Sequence, residues 1–280
     1  MLAQGRYSAT AERLTTPSET PPPRDWREYR ARNVDARRID EGIAFARAHR
    51  RWLAQAEQRF GVPPAVIVAI IGIESFYGRN TGNFRTLDVL LTLAFDYPRR
   101  APLYREQLAE FLLLVREQQL DPLALRGSFA GAIGLPQFLP ASIRRYALDF
   151  DGDGRVDLAA SRADAIGSVA NYLAAQGWQR GLPIALPAQS DSGAAETYAR
   201  GITAAWRWQD VAARDVRIAG DLAPATEVLM IDLPGTDAAG NAVVEYRVGT
   251  ANLAAVLHYN RSYFYAAAVT DLAGAIARGL

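Results

Sequence analysis

The sequence predicts a mainly α fold of the α+β kind, a helical body carrying a small β insertion. Three observations lead there. Apolar residues recur at helical spacing through most of the stretch up to Ala175, the pattern turns extended in short segments after Trp178, and helical spacing returns from Asn252. With 280 residues the chain can bury a sizeable core, as one lobed domain or as two. Half of its residues are hydrophobic, which excludes disorder for most of its length. A net charge of +1 gives no global drive toward nucleic acid. All basic residues are arginine, a mark of genome composition that says nothing about mechanism. Without cysteine there is no disulfide, thiolate metal site or lipid-bearing cysteine, so the redox compartment stays undetermined.

The elements follow in order. Residues 1–25 lack the apolar core of a signal peptide, and their Thr, Ser, Glu and Pro content reads as a flexible lead-in. Asp40 to Phe60 has helical periodicity with many surface arginines. Next comes the apolar run Val62-Pro-Pro-Ala-Val-Ile-Val-Ala-Ile-Ile71. Pro63 and Pro64 suit a helix start, where no N–H is needed, and Gly78 suits its end. Leu87 to Phe95 and Leu103 to Gln119 read as helices, the second stopped at Asp121-Pro122, and Ala141 to Leu148 as a short one. Ser161-Arg-Ala-Asp164 resembles a capping box opening a helix that runs to Ala175 and stops at Gly177. Leu182 to Leu186 and Glu227 to Leu233 look extended, and Asn241 to Val248 can pair with the latter across residues 234–240. No repeat is evident, and no stretch is long enough to span a membrane.

Two segments carry chemistry. Ile71-Gly-Ile-Glu-Ser-Phe-Tyr-Gly78 leaves one glutamate, Glu74, at the end of a helix with no polar face, which must be buried on all sides. Carbonyl partial charges and apolar walls disfavour its carboxylate and raise its pKa, as a general acid requires; alternatively, Glu74 lies in solvent where the helix frays. The second segment, Gly127-Ser-Phe-Ala-Gly-Ala-Ile-Gly-Leu-Pro-Gln-Phe-Leu-Pro-Ala-Ser142, is rich in small residues. Its glycines at 127, 131 and 134 allow close backbone approach. Ser128 and Gln137 offer neutral hydrogen bonds, and Phe129 and Phe138 offer flat apolar faces. That mixture suits a sugar, or else a tight packing element.

Together these segments resemble the lytic murein transglycosylase B family. The family acid lies in Gly-Val-Glu-Thr followed by an aromatic and Gly, matched by Gly72 to Gly78. Its second motif is matched with Ile133 and Leu139 in place of methionine and Ala141 in place of serine, and Leu93-Ala-Phe-Asp-Tyr-Pro-Arg-Arg-Ala101 is another shared stretch. Trp26-Arg-Glu-Tyr-Arg30 and the late Tyr259-Asn-Arg-Ser-Tyr-Phe-Tyr-Ala266 also match, with His258 standing where the family has arginine. The resemblance implies a lysozyme-like helical catalytic core with an additional helical region. Its unit would run over 26–280, with the core at about 61–178, a small β-containing region at about 179–250, and a C-terminal helix at 251–280 packing back on the core. It also implies a substrate, the peptidoglycan glycan strand. Glu74 would be the catalytic residue, and Tyr29, Ser128, Gln137, Phe138, Tyr259, Asn260 and Tyr265 would orient or stack on the saccharide. Arg99 and Arg100 can pair with carboxylates of the stem peptide, or form a solvated turn.

Asp149-Phe-Asp-Gly-Asp-Gly-Arg-Val-Asp157 fits the first half of an EF-hand loop, D-x-[DN]-x-[DN]-G. Asp149, Asp151 and Asp153 can converge on one hard cation, with the carbonyl of Arg155 as a further ligand. Loop position 12 is Ala160 where glutamate is usual. By resemblance the loop closes with Asp164, although it is one residue longer than the family pattern; Asp157 is the substitute, and Asp164 can also cap its helix. A structural calcium is expected, and no organic cofactor.

No second carboxylate accompanies Glu74 in the motifs, whereas ordinary glycosidases need two. One acid/base suffices if the sugar supplies its own nucleophile, as the family does when it cleaves the bond between N-acetylmuramic acid and N-acetylglucosamine to leave a 1,6-anhydromuramyl end. The rivals are a hydrolytic muramidase and a non-catalytic peptidoglycan-binding scaffold. The resemblance further implies the periplasm or cell envelope as location, although no export signal is present. It also implies a monomer and, as further partners, cell-wall synthesis or remodelling proteins.

Overall fold

The computed structural model describes residues 4–18, 24–190, 193–198 and 201–280. Its chain forms two compact units. One comprises Met1–Pro22, Ala48–Leu53 and Ile70–Tyr172; the other comprises Pro23–Arg47, Ala54–Ala69 and Leu173–Leu280. Residues 61–178 contribute to both, and the boundary passes through helices.

Helix α1 (Ala9–Thr15) lies inside the expected lead-in. Ser8 caps it, the Ser8 N–H donates to Thr92 Oγ1 at 2.9 Å, the Arg6 N–H donates to Asp88 at 2.8 Å, and Ala11 is fully buried. A seven-residue helix anchored by one small side chain leaves almost no periodic signal, so the flexible reading is corrected for Ala9–Thr15; residues 1–3 and 19–23 of the expected lead-in lie outside the described residues. Helix α2 (Trp26–Asn33) is followed by α3 (Ala36–Ala48) and α4 (Arg50–Phe60). The single helix expected from Asp40 to Phe60 is thus two, parted at His49. A 113° bend separates α4 from α5 (Pro64–Ser75).

Helix α5 is apolar all round, and Val66 to Ile71 are all buried. Each of Ile67, Ile70 and Ile71 contributes about 1.5–3 kcal/mol by leaving water. The expectation of burial holds there, but Ile73 and Glu74 are half-exposed.

The first unit continues with β1 (Phe84–Arg85), α6 (Thr86–Phe95), a 3₁₀ turn at Pro98–Arg100, α7 (Ala101–Glu117), β2 (Arg126–Gly127), α8 (Pro140–Tyr146) and α9 (Arg162–Ala175). The short β1–β2 ladder pairs Phe84 with Gly127, which was not foreseen because two-residue strands carry no alternation.

The second unit holds an antiparallel sheet in the order β4-β6-β7-β3-β5. Its strands are β3 (Ala185–Ser190), β4 (Trp206–Arg207), β5 (Val216–Ile218), β6 (Glu227–Thr236) and β7 (Ala242–Gly249). The foreseen hairpin is β6–β7, with Met230 opposite Val248. The strand placed at Leu182 to Leu186 lies further on, at Ala185–Ser190, because the carbonyls of Leu182 and Pro183 bond instead to Asn252 and Thr250 side chains. Short helices α10 (Ala194–Tyr198) and α11 (Trp208–Ala212) cover a cluster of Tyr198, Val211, Val216, Val228, Met230 and Val248. The late helix is two, α12 (Ala251–Tyr259) and α13 (Tyr263–Arg278), broken where Ser262 caps the second. Both belong to the second unit, with α13 against α2 and β6.

Candidate active site

Glu74 occupies the last turn of α5, half-exposed beside the fully enclosed Ser75. The helix ends at Ser75, three residues before the glycine expected to stop it. Phe76 and Tyr77 already take left-handed φ values of 49° and 59°, and Gly78 follows at 91°. Two successive non-glycine residues in that region are strained, whereas Gly78 takes it freely, and the neighbouring bonds hold them. Ser75 Oγ accepts from the Gly78 N–H at 3.1 Å, its carbonyl accepts from the Asn80 N–H at 2.8 Å, and the Tyr77 N–H reaches the Ile71 carbonyl. Tyr77 folds back over the helix: a Cβ on Gly72 would lie 2.6 Å from its hydroxyl oxygen. The motif's first glycine is there to admit that ring. Ser75 and Tyr77 were not singled out from sequence; the Ser-x-Tyr-Gly pattern after the glutamate was the available signal.

The chain leaving this turn runs along the second motif. A Cβ on Gly78 would touch Leu135 at 3.2 Å, and one on Gly82 would lie 2.1 Å from the Gly127 carbonyl oxygen. The chain leaving the glutamate turn therefore lies against the backbone of the small-residue segment at Gly82, which requires glycine there. Ser128 organises its own loop: its Oγ accepts from the Ala130 and Ala132 N–H groups at 3.3 and 3.1 Å. Gln137 has φ 50° and donates from Nε2 to the Thr81 carbonyl at 3.1 Å and the Gly134 carbonyl at 2.8 Å. With both donors spent on backbone, what Gln137 offers a ligand is its carbonyl oxygen.

Of the two phenylalanines expected to offer flat faces, only one does. Phe138 is 2% exposed and packs on Tyr172 at 5.5 Å between centroids, so it presents no face to a sugar. Phe129 is 38% exposed. Arg99 and Arg100 lie exposed on the 3₁₀ turn before α7.

The acidic loop between α8 and α9 is anchored at both ends. Phe150 sits where a Cβ on Gly167 would come within 2.3 Å of its ring, and the Leu158 carbonyl accepts from the Leu135 N–H at 2.8 Å. Asp149, Asp151 and Asp153 are exposed, each with a carboxylate oxygen within 4.8 Å of the others. Asp149 accepts N–H bonds from Gly152, Asp153 and Gly154, and Asp153 accepts one from Arg155. Three clustered carboxylate donors with room at Gly152 and Gly154 suit a hard cation. Neither proposed closing residue joins this group in the geometry found. Asp164 is 1% exposed, and its two oxygens accept from the N–H groups of Phe150 and Asp157, both at 2.8 Å. Asp157 turns to the Ala159 and Ala160 N–H groups. Burial pushes the Asp164 carboxyl above the ordinary aspartate range. The two backbone donors act against that rise, and the charges of Asp151 and Asp149 add to it. A cavity of about 700 Å³ lies between this loop and the end of α7, lined by Leu114, Leu120, Ile143 and Leu158 among others; Glu74 is not among its walls.

The other predicted residues belong to the second unit. Tyr29 is half-exposed on α2, its ring 6.3 Å from Trp26 and 5.6 Å from Phe264. Tyr259, half-exposed at the end of α12, stacks on Tyr265 at 6.3 Å and 17°. Tyr265 is 2% exposed, so it is a support for Tyr259 and not a stacking surface. Asn260 is exposed at the break between α12 and α13. The structure thus gathers Glu74, Ser128 and Gln137 in one unit, and Tyr29, Tyr259 and Asn260 in the other.

The profile of the family described as transglycosylase SLT domain matches residues 2–274. Over 253 residues the chain is 39% identical to membrane-bound lytic murein transglycosylase B of Escherichia coli (strain K12), spanning 90% of this chain and 67% of that protein. The structure of catenated lytic transglycosylase SltB1 from Pseudomonas aeruginosa matches with TM-score 0.90 and 43% identity, over 99% of this chain and 89% of that one. E. coli lytic transglycosylase Slt35 in complex with calcium matches with TM-score 0.85 and 37% identity, over 99% and 85%. SltB3 from P. aeruginosa in complex with NAG-anhNAM-pentapeptide matches with TM-score 0.85 and 30% identity, over 99% and 72%.

Proposed function

Because this chain belongs to the transglycosylase SLT domain family and is a peptidoglycan lytic transglycosylase of lysozyme-like fold, we propose that Glu74 is its single catalytic acid and base. The observation that carries this reading is the turn itself. One carboxylate stands at the open end of an otherwise enclosed helix, held by a strained backbone and packed against the small-residue segment. Glu74 protonates the glycosidic oxygen between N-acetylmuramic acid and N-acetylglucosamine as the bond to C1 breaks. The C6 hydroxyl of the muramic acid then attacks C1 and gives its proton to Glu74, so no water is consumed and the acid is regenerated. Ser128 and the Gln137 carbonyl oxygen orient hydroxyl and N-acetyl groups, Phe129 offers an apolar face, and Tyr29, Tyr259 and Asn260 bind the glycan. Arg99 and Arg100 meet stem-peptide carboxylates.

Asp149, Asp151, Asp153 and the Arg155 carbonyl hold calcium, and Asp164 fixes the loop through its two backbone donors. The relative crystallised with calcium supports this reading, as does the three-carboxylate cluster. The ion's contribution is structural, bracing the loop that links α8 to α9. The cell envelope is where such a substrate is met, which agrees with the membrane-bound relative.

Mass spectrometry of products from purified sacculi tests the reaction. Muropeptides should carry anhydromuramyl ends, about one water (~18 Da) lighter than hydrolysed ones. Reducing ends would instead mark a muramidase and require a second carboxylate near Glu74.

A further inference from the structure

Helix α2 carries Tyr29 but cannot hold its own position. It has eight residues, too few to be stable in isolation, and Trp26 is its only buried side chain. Besides the buried Trp26 and the bond from Thr236 Oγ1 to the capping Asp25, it has polar anchors on both sides of Tyr29, and these converge on one buried cation. Arg247, on β7, is 5% exposed. It donates to Glu245 at 2.8 Å and to both oxygens of Asp271 at 2.6 and 3.2 Å. Glu245 accepts from Trp26 Nε1 at 3.1 Å, and Asp271 accepts from Arg30 Nε at 2.6 Å. The two carboxylates that grip α2, one on each side of Tyr29, are therefore shared with the same guanidinium. The guanidinium carbon also lies 5.3 Å from the Trp26 ring centroid, and Trp26 stacks on Tyr29 with an interplanar angle of 24°. Phe264 closes the cluster edge-on to both rings.

We propose that Arg247 is a positioning residue that sets the ring of Tyr29 for the glycan, acting through Trp26, Glu245 and Asp271. The proposal rests on the reading that Tyr29 touches the glycan. A guanidinium is needed because one planar cation must serve two carboxylates and lie against an indole; a lysine ammonium keeps the charge but can do only part of this. The sequence gives no hint of it, since Arg247 sits in an ordinary alternating strand.

The test is a double-mutant cycle on the full chain, read as kcat and KM on a peptidoglycan tetrasaccharide, with melting temperatures alongside. Arg247→Lys should raise KM about tenfold with kcat nearly unchanged, the signature of lost ground-state binding. Asp271→Asn, which keeps the side-chain shape, should do the same and serves if the lysine variant folds poorly. In a Tyr29→Ala background neither change should cost more, because the ring they position is gone. Equal losses in both backgrounds would show a merely structural role and overturn the proposal. So would an Arg247→Lys enzyme with unaltered KM while Tyr29→Ala is impaired. Full activity of Tyr29→Ala would instead sink the reading of Tyr29 as a glycan contact, and this proposal with it.

Discussion

The turn after α5 and the loop before α9 use the same functional group in opposite ways. At the first, a single carboxylate sits where a helix stops, and the neighbouring bonds fix backbone: Ser75 to Gly78, Tyr77 to Ile71. At the second, three carboxylates lie within 4.8 Å and take backbone N–H donors for themselves. A single held acid can trade a proton with a ligand. Clustered acids repel one another, and the cheapest relief is a cation. On the proposed reading, number and neighbours, not residue type, separate a reacting carboxylate from a binding one.

The sharpest way to break that contrast is to remove the proton at the first site. Glu74→Gln keeps the volume and should fold with an unchanged melting temperature while turnover falls by about 10²–10⁴-fold. Activity within a fewfold of wild type would take Glu74 out of its role. At the second site the effect should be the reverse, on stability rather than chemistry. Calcium at about 100 times its dissociation constant should stabilise the fold by ~2.7 kcal/mol and raise the melting temperature, and chelation should lower it. Asp153→Ala should erase most of that response, and magnesium should substitute poorly because it gives up water reluctantly. Identical melting curves in calcium, magnesium and chelator would mean that the loop is only an acidic turn.

Gly72→Ala sharpens the first half of the comparison. Its Cβ would sit 2.6 Å from the Tyr77 hydroxyl, so the ring must move, at about 1–3 kcal/mol. Thermal melts should show the loss, and activity should fall with it, because Tyr77 belongs to the turn that carries Glu74.

The smallest effect concerns Asp164. Burial raises its folded pKa above the unfolded aspartate value. The folded chain therefore holds this proton more tightly than the unfolded one. Without calcium its contribution is most favourable below the unfolded pKa and is lost as pH rises through the raised folded value. Melting temperatures in chelator, compared between wild type and Asp164→Asn from acid to neutral pH, should diverge over that window and run parallel above it. Calcium should shrink the difference.

Local patterns were legible wherever the physics is local. The apolar run of α5, the helices α6, α7 and α9, the β6–β7 hairpin and the spacing of Asp149, Asp151 and Asp153 all follow from periodicity, turn residues and charge. Features that depend on distant neighbours were not. Helix α1 exists because Asp88 and Thr92 receive its leading backbone. The strand at 182–186 moved because Asn252 and Thr250 claim the preceding carbonyls.

The class of fold, the single glutamate Glu74 of its motif, the small-residue segment and the acidic loop were readable from the chain, since each is written in adjacent residues. Which aromatic faces outward was set by long-range packing. Phe129 and Phe138 are the same residue nine positions apart, yet Tyr172 encloses one and leaves the other to solvent; Tyr265 is likewise hidden beneath Tyr259. Only tertiary structure showed that Asp164 lies buried under two backbone donors, and that Arg247 gathers the partners of α2. Exposure and charge partnership arise from residues far apart in the chain, and no local spacing encodes them.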